Sequence, residues 1–148
     1  MPQENITPLT QTEYNAIGKA ILDMVESYPE LPDGCIMDYQ DLKGINHMGV
    51  FTTPGGRYLS QDVTGGFEAQ LPFDIVYCCA GESNRVQLSA EELLNSIADY
   101  LENMSYPALT GGRTILKIIM NSVTYRTSAA PDGSVSYRRS GSLRYEKQ

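Results

Sequence analysis

The chain has 148 residues, 41% of them hydrophobic, and a formal net charge of −7 at pH 7. A single domain of this length buries roughly 68–70% of the surface that its unfolded chain exposes, so it needs neither disulfides nor a metal for stability. An acidic surface disfavours binding to phosphate backbones and to anionic membranes. No apolar run approaches the roughly 20 residues that span a bilayer, so we predict a soluble single-domain protein.

The charges are distributed unevenly along the chain. Residues 1–48 hold eight acidic and two basic side chains, whereas residues 110–148 hold seven basic and two acidic ones. A monomer can carry such a dipole without using it. In an assembly, the acidic end of one subunit would meet the basic end of the next, a heterologous contact that closes into a ring when the rotation allows.

The three cysteines are Cys35, Cys78 and Cys79. Their number is odd and no C-x-x-C spacing occurs, which favours reduced thiols in a reducing cytosol. No charged segment precedes an apolar run at the N-terminus, so no signal peptide is predicted.

Residues 1–10 are polar and aperiodic, and we predict a flexible tail there. Thr10 and Glu13 have the spacing of a capping box, with Thr10 as the N-cap. Apolar residues then recur at steps of three and four, which predicts a first helix from about Gln11 to Tyr28, ended by Pro29. The stripe consists of Tyr14, Ile17, Ile21, Leu22, Val25 and Tyr28.

The segment 30–66 has weaker signals. Residues 35–37 and 48–51 are short apolar runs of strand length, and glycine pairs at 55–56 and 65–66 bracket Arg57 to Val63. We predict a glycine-hinged loop or hairpin arm, and a long, poorly packed connection of this kind is often functional or disordered.

Strict alternation of apolar and mainly polar residues from Phe67 to Cys79 predicts a long strand with one buried face. Cys78 and Cys79 then point to opposite faces. Pro72 has no N–H to donate, which predicts an edge strand or a bulge at that point.

A second capping box, with Ser89 as the N-cap and Glu92 three residues later, opens another apolar stripe. Leu88 is placed to pack on Leu93 as a hydrophobic staple. The pattern predicts a second helix from about Ala90 to Asn103.

The run from Thr114 to Arg126 is nearly continuous in apolar residues at its centre, which is typical of a strand that is buried on both faces or lies at the centre of the sheet. Residues 130–134 contain Asp-Gly and predict a tight turn. Ser134 to Tyr145 returns as a strand, giving a C-terminal β-hairpin whose outer strand is basic and rich in tyrosine. The predicted class is α+β, with a small, mainly antiparallel sheet packed against two main helices over residues 11–148.

Motifs for catalysis are missing from the sequence. His47, the one histidine, stands in a polar stretch and is predicted to be an exposed surface residue. No nucleophile elbow, phosphate-binding glycine loop or zinc-ligand spacing occurs. We predict no catalytic residues, no metal and no cofactor, and therefore no enzyme.

The terminal strand offers a candidate binding surface. Basic and aromatic residues interleave there, a pattern that binds single-stranded nucleic acid but that is also enriched at protein–protein hot spots. The acidity of the rest of the chain favours the protein interface. We predict that a subunit interface comprises Tyr137, Arg138, Arg139, Arg144, Tyr145, and, from the arm, Arg57 and Tyr58.

The order of these patterns resembles the minor capsid and tail-completion proteins of tailed bacteriophages, including tail terminators. Phe67–Tyr77 is similar to the family's "f.f.l.yr" strand, and Leu94–Leu101 to its "ln.lgdwL" helix, with Tyr100 at the aromatic position. Pro107 and Leu109 follow as in its "P.l". Tyr137 and Leu143–Tyr145 match its terminal "Y.i...l.Y". The resemblance covers roughly residues 11–148, is strongest from Phe67 onward, and consists of packing patterns.

The resemblance implies a ring of subunits, six in tail terminators, at the end of the finished tail tube. Such a ring stops tube polymerisation and offers a surface to the head. The implied partners are other copies of the chain, the tail tube protein and head-completion proteins. The implied location is the host bacterial cytoplasm during assembly and then the virion tail.

Two alternatives stay open from sequence. The first is a head-to-tail connector or stopper ring protein, and the second is a monomeric cytosolic adaptor or inhibitor. An enzyme would require an activated His47 or cysteine, so His47→Ala would then abolish turnover.

Overall fold

A computed structural model describes residues 7–81, 83–121, 123–129 and 133–148. The helices are α1 (Gln11–Glu26) and α2 (Asn84–Asn103), and a 3₁₀ turn spans Thr110–Gly112. The strands, all in one sheet, are β1 (Thr7–Pro8), β2 (Ile36–Tyr39), β3 (His47–Thr52), β4 (Arg57–Gln61), β5 (Phe67–Ala80), β6 (Arg113–Met120), β7 (Tyr125–Ala129) and β8 (Ser134–Lys147). The predicted α+β class, with a sheet against helices and a C-terminal hairpin, is confirmed.

The start of α1 follows its sequence signal. Thr10 is the N-cap, and its side chain accepts a hydrogen bond from the N–H of Glu13. The carboxylate of Glu13 does not complete the capping box, because it is bonded to Arg113 instead. The helix ends at Glu26, two residues before the predicted end.

Residues 7–9 were predicted as flexible tail but belong to the fold. Thr7 and Pro8 pair with β4, and Leu9 is buried with its N–H donated to the carbonyl of Gly56. Residues 1–6 of the predicted tail lie outside the described residues.

The predicted start of α2 is wrong by six residues. Ser83, and not Ser89, is the N-cap, and its hydroxyl accepts the N–H of Val86. Residues 84–89 are mostly exposed and carry no apolar stripe, so periodicity detects only the part of the helix that packs on the sheet.

Two long strands form the centre of the sheet. β5 and β8 run antiparallel in unbroken register from Phe67↔Lys147 to Ala80↔Ser134. Each long strand also pairs, along the edge away from the other long strand, with two short strands that lie end to end. These are β4 and β3 beside β5, and β6 and β7 beside β8. β1 pairs with the free edge of β4, and β2 pairs with the free edge of β3. The β2–β3 pairing is the one parallel pairing among the described strands.

The prediction that Pro72 marks an edge or a bulge is wrong, because β5 is central and its pairing with β8 shows no shift. Pro72 falls where the neighbour of β5 changes from β4 to β3. Its carbonyl accepts the N–H of Thr53, and its missing N–H would point to the same side, into the gap between the two short strands. The missing donor therefore costs no ladder hydrogen bond.

The predicted strand 114–126 is two strands, β6 and β7, and it is not buried on both faces. Among the described strands both pair only with β8, so neither lies at the centre of the sheet, and β6 has a bulge between Ile115 and Lys117. Ile115 and Ile118 are buried against the helices, whereas Ile119 is 51% exposed. Most of the predicted turn, residues 130–132, lies outside the described residues.

A buried ion pair ties the helix layer to the sheet. The guanidinium of Arg113, at the start of β6, donates from Nε and Nη2 to the two carboxylate oxygens of Glu13 at 2.8 and 2.6 Å. The hydroxyl of Tyr145 donates to the same carboxylate at 2.9 Å. Hydrogen bonding from Arg113 holds the pKa of Glu13 below its usual value despite burial.

Candidate subunit interface

Three residues of the predicted interface are buried. Tyr137 is 1% exposed, Tyr145 is 0% exposed and Arg139 is 8% exposed. Odd-numbered residues of β8 face the helices, and Arg139 bonds there to Asn95 and Thr124. β8 is a central strand and not the outer strand of a free hairpin, so these three side chains have no access to a partner in this fold.

Arg138 and Arg144 lie on the opposite face of β8, the outer face of the sheet. Arg138 Nη1 is 3.1 Å from the carboxylate of Asp74, and Arg144 Nε is 2.8 Å from that of Glu68. Both arginine side chains retain about a third of their exposure, 34% and 39%. They can contact a partner, but part of their charge is already neutralised.

The arm residues are split between the two faces. Arg57 is exposed and pairs with Gln70 on the outer face, whereas Tyr58 packs edge-on against Phe67 at 4.8 Å between ring centroids. The predicted arm is a β4–β5 hairpin, with a bulge after Tyr58. The arm is therefore ordered in the single chain.

Sequence reasoning missed the exposed residues of β6, β7 and their connection. Eight large apolar side chains of the described residues are exposed, and four of them lie within the ten residues 116–125. We call these four the outer patch: Leu116, Ile119, Val123 and Tyr125. Strand pairing places Ile119 beside Ser142 and Tyr125 beside Arg138, both on the outer face.

The outer patch is exposed because nothing in the described chain covers this half of the sheet. At the β2–β3 end, the loop 40–46 folds over the outer face and buries Asp38, Val76 and Cys78 there. Among the described residues, no such segment lies over the outer face of β8, and alternate residues of this strand remain partly exposed. The one signal in the sequence was Lys117, a charge within an apolar run.

The two layers of the fold carry opposite charge. α1 and α2 hold seven acidic and two basic side chains, whereas β6, β7 and β8 hold seven basic and one acidic. The charge difference between the two ends of the chain is thus a difference between the acidic helices and the basic strands β6, β7 and β8. Lys117, which flanks the outer patch, is exposed.

The free edge of β6 is blocked by side chains. The hydroxyl of Tyr106 accepts the N–H of Ile118 at 3.2 Å, and the carboxylate of Glu102 accepts the N–H of Met120 at 3.3 Å. Ala108 forms a bridge with Thr114. These contacts occupy donors that would otherwise pair with another strand, so contact with a partner is directed to the face of β6 and not to its edge.

His47 is not the exposed surface residue that the sequence predicted. Its side chain is 18% exposed, and Nδ1 lies 2.8 Å from the carboxylate of Asp38, whose side chain is 3% exposed. Burial opposes ionisation of Asp38, but hydrogen bonds from the Lys43 N–H and from His47 outweigh it and hold the pKa of Asp38 below its usual value. The ionised carboxylate therefore accepts from Nδ1–H, and the pair anchors the loop 40–46.

His47→Ala is consequently no neutral substitution, because it leaves the buried Asp38 with one fewer hydrogen-bond donor. Cys78, beside His47 in the strand pairing, is 5% exposed. Burial raises the pKa of the thiols of Cys35 and Cys79. Within the described ranges, no three His, Cys, Asp or Glu side chains are grouped as metal ligands.

None of the helices in the described part of the chain is both long and apolar enough to cross a membrane. No family model matches the sequence, and no curated protein matches it.

Proposed function

We propose that the chain is a structural subunit of virion morphogenesis in a tailed bacteriophage. It forms or joins a ring at the end of the tail tube, terminates tube polymerisation and presents the head-joining surface. The proposal starts from the resemblance of the sequence to tail-completion proteins. The observation that carries it is the outer patch, four exposed large apolar side chains within ten residues of the chain, beside the part of the sheet that no described segment covers.

The outer patch has the composition of a protein-binding surface. Tyr125 and Arg138 are neighbours on the outer face, and tyrosine and arginine dominate interface hot spots. Monomeric proteins mostly scatter exposed apolar residues singly, so four such residues within a ten-residue segment favour a binding surface.

Charge complementarity favours a second copy of the chain as the occupant. The outer patch is flanked by Lys117 and Arg144, and the opposite side of the molecule is the acidic helix layer. Sheet face against helix layer is a heterologous contact, which generates a ring when each step rotates by a closing angle. Such contacts weaken with salt, because exposed charges are screened beyond about 8–10 Å at 0.1–0.15 M ionic strength.

Light scattering coupled to size exclusion, at several protein and salt concentrations, tests the self-association. We expect a discrete ring-sized species whose population falls at high salt. Ile119→Asp should abolish this species because it places a charge in the apolar contact. Val63→Asp is the matched control, since Val63 is fully exposed in the β4–β5 turn, far from β6 in the sheet order.

Lys117→Glu tests the electrostatic contribution to the proposed contact more cleanly than charge reversal at the arginines of β8 does. Reversing the buried Arg139 would place an unpaired carboxylate in the core and unfold the chain, whereas Lys117 is exposed. The reversal should weaken the ring at low salt and have little effect at high salt. Equal assembly of Lys117→Glu and of the unsubstituted chain at low salt would contradict the sheet-to-helix contact.

The assignment to the tail requires a second assay. Tail-tube subunits polymerised in the presence of the chain should stop at short lengths, and labelled chain should be found at tube ends by electron microscopy. A chain that is monomeric at all concentrations, and that neither caps tubes nor shortens them, refutes the proposed function.

A further inference from the structure

An apolar groove of about 480 Å³ lies where the end of β5 meets the first half of α2. Its walls come from three segments: Pro32 after α1, the end of β5, and one side of α2. The volume is in the range of small-molecule sites, which are mostly apolar with a few polar groups. The groove is lined by Pro32, Tyr77, Cys79, Ala80, Arg85, Val86, Ser89, Ala90 and Leu93.

The polar groups on the groove floor are already satisfied within the chain. The hydroxyl of Tyr77 donates to Asn46 Oδ1 at 2.9 Å, and the thiol of Cys79 donates to the carbonyl of Val135 at 3.8 Å. Burial, the largest cause, raises the pKa of Tyr77 to about 12, so the phenol stays neutral. The floor therefore presents an uncharged surface that favours an apolar occupant.

The charge at the groove is a cation. Arg85 lines it, is exposed, and forms no ion pair with any described residue. None of the described lining residues is acidic, and the first turn of α2 carries no carboxylate. Arg85 is thus the one charged group among the described lining residues, and its guanidinium is the group that can hold an anionic head.

We propose that this groove binds an amphipathic carboxylate, an unbranched or aryl apolar body with one anionic head. The body lies against Val86, Ala90, Leu93 and the ring of Tyr77, and the head is held by the guanidinium of Arg85. The groove lies on the helix side of the sheet, whereas the outer patch lies on the opposite face.

Three soluble probes distinguish the contribution of the apolar body from that of the anionic head. Isothermal titration of the full chain should show saturable binding of decanoate, weaker binding of hexanoate and no binding of decyltrimethylammonium at equal concentration. Decanoate should also slow labelling of Cys79 by a thiol reagent, followed site by site by mass spectrometry, because the thiol lines the groove.

Two variants, each with a matched control, locate the ligand. Val86→Trp fills the groove and should abolish decanoate binding, whereas Leu88→Trp, on an exposed position of the same helix outside the groove, should not. Arg85→Gln should weaken decanoate about three- to fivefold, as expected for an exposed ion pair of up to about 1 kcal/mol. Arg126→Gln on β7 removes the same charge elsewhere and should leave affinity unchanged.

The proposal is overturned if Val86→Trp binds decanoate as the unsubstituted chain does. It is also overturned if the alkylammonium binds as well as decanoate, or if a peptide ending in leucine binds where decanoate does not. Thermal unfolding of each variant shows that the groove variants are folded.

Discussion

The buried pair of Glu13 and Arg113 makes a sharp prediction about stability. Their side chains are 7% and 8% exposed, and the two guanidinium–carboxylate bonds are joined by one from Tyr145. Glu13→Gln keeps the shape but leaves the charge of Arg113 buried without its counterion. Breaking such a pair on one side costs about 3–5 kcal/mol. At roughly 2–4 °C per kcal/mol for a domain of this size, the melting temperature should fall by about 6–20 °C.

The pH dependence of this loss has a fixed sign. The pKa of Glu13 is lowered in the fold, so its contribution to stability is fully present above the unfolded value, about 4.3, and disappears as pH falls through the folded value. Denaturant titrations of Glu13→Gln and of the unsubstituted chain should therefore differ most at pH 7. The difference should shrink below about pH 4.

Two further variants decide whether the buried charge is the cause. Asp23→Asn removes an exposed pair with Lys19 in the same helix and should cost less than about 0.5 kcal/mol. Replacing both buried partners, Glu13→Leu with Arg113→Met, removes the charges together and should be more stable than Glu13→Gln alone. A cost below about 1 kcal/mol for Glu13→Gln, or a double variant less stable than it, would refute the reasoning.

Two other substitutions test the packing of the sheet. Gly49→Ala should destabilise the fold by about 1–3 kcal/mol, because the added Cβ overlaps the backbone carbonyl oxygen of Asp41, which cannot rotate away as a side chain could. Gly44→Ala is the control and should be close to neutral, because its Cβ would lie 3.8 Å from the nearest atom. Equal melting temperatures of the two variants would contradict the overlap at Gly49. Tyr106→Phe removes the acceptor of the Ile118 N–H and should cost about 1–3 kcal/mol. Hydrogen exchange at Ile118 should accelerate, and unchanged exchange there would show that the hydroxyl is not needed.

The sequence predicts elements well where periodicity and capping agree. The start of α1 at Thr10 and the strand from Phe67 are predicted to within a residue, since their buried faces repeat in the period of the element. The start of α2 is missed because Ser89 and Glu92 imitate a capping box inside the helix, while Ser83 precedes residues without an apolar stripe.

The candidate interface was predicted less well, for a physical reason. Alternation in β8 identifies two faces, and the helices, which pack on the odd-numbered side, decide which one is buried. The tyrosines, large and apolar, went to the core, and the arginines of the other face remained partly exposed. Ile119 is exposed because no described segment covers the outer face there, and this is a property of the tertiary fold and not of the local sequence.

The central position of β8 also constrains the order of events during folding. β5 joins β8 across a sequence separation of up to 80 residues, from Phe67 to Lys147, and β8 is the one partner strand of β6 and β7 in the part of the chain that the structure describes. A ribosome must therefore release residues up to 147 before the sheet can be completed, and until then one edge of β5 and both β6 and β7 lack their partner strand. Loop closure over such distances is slow, and unpaired strands aggregate in the interval. The nascent chain is thus most dependent on chaperones just before its synthesis reaches β8.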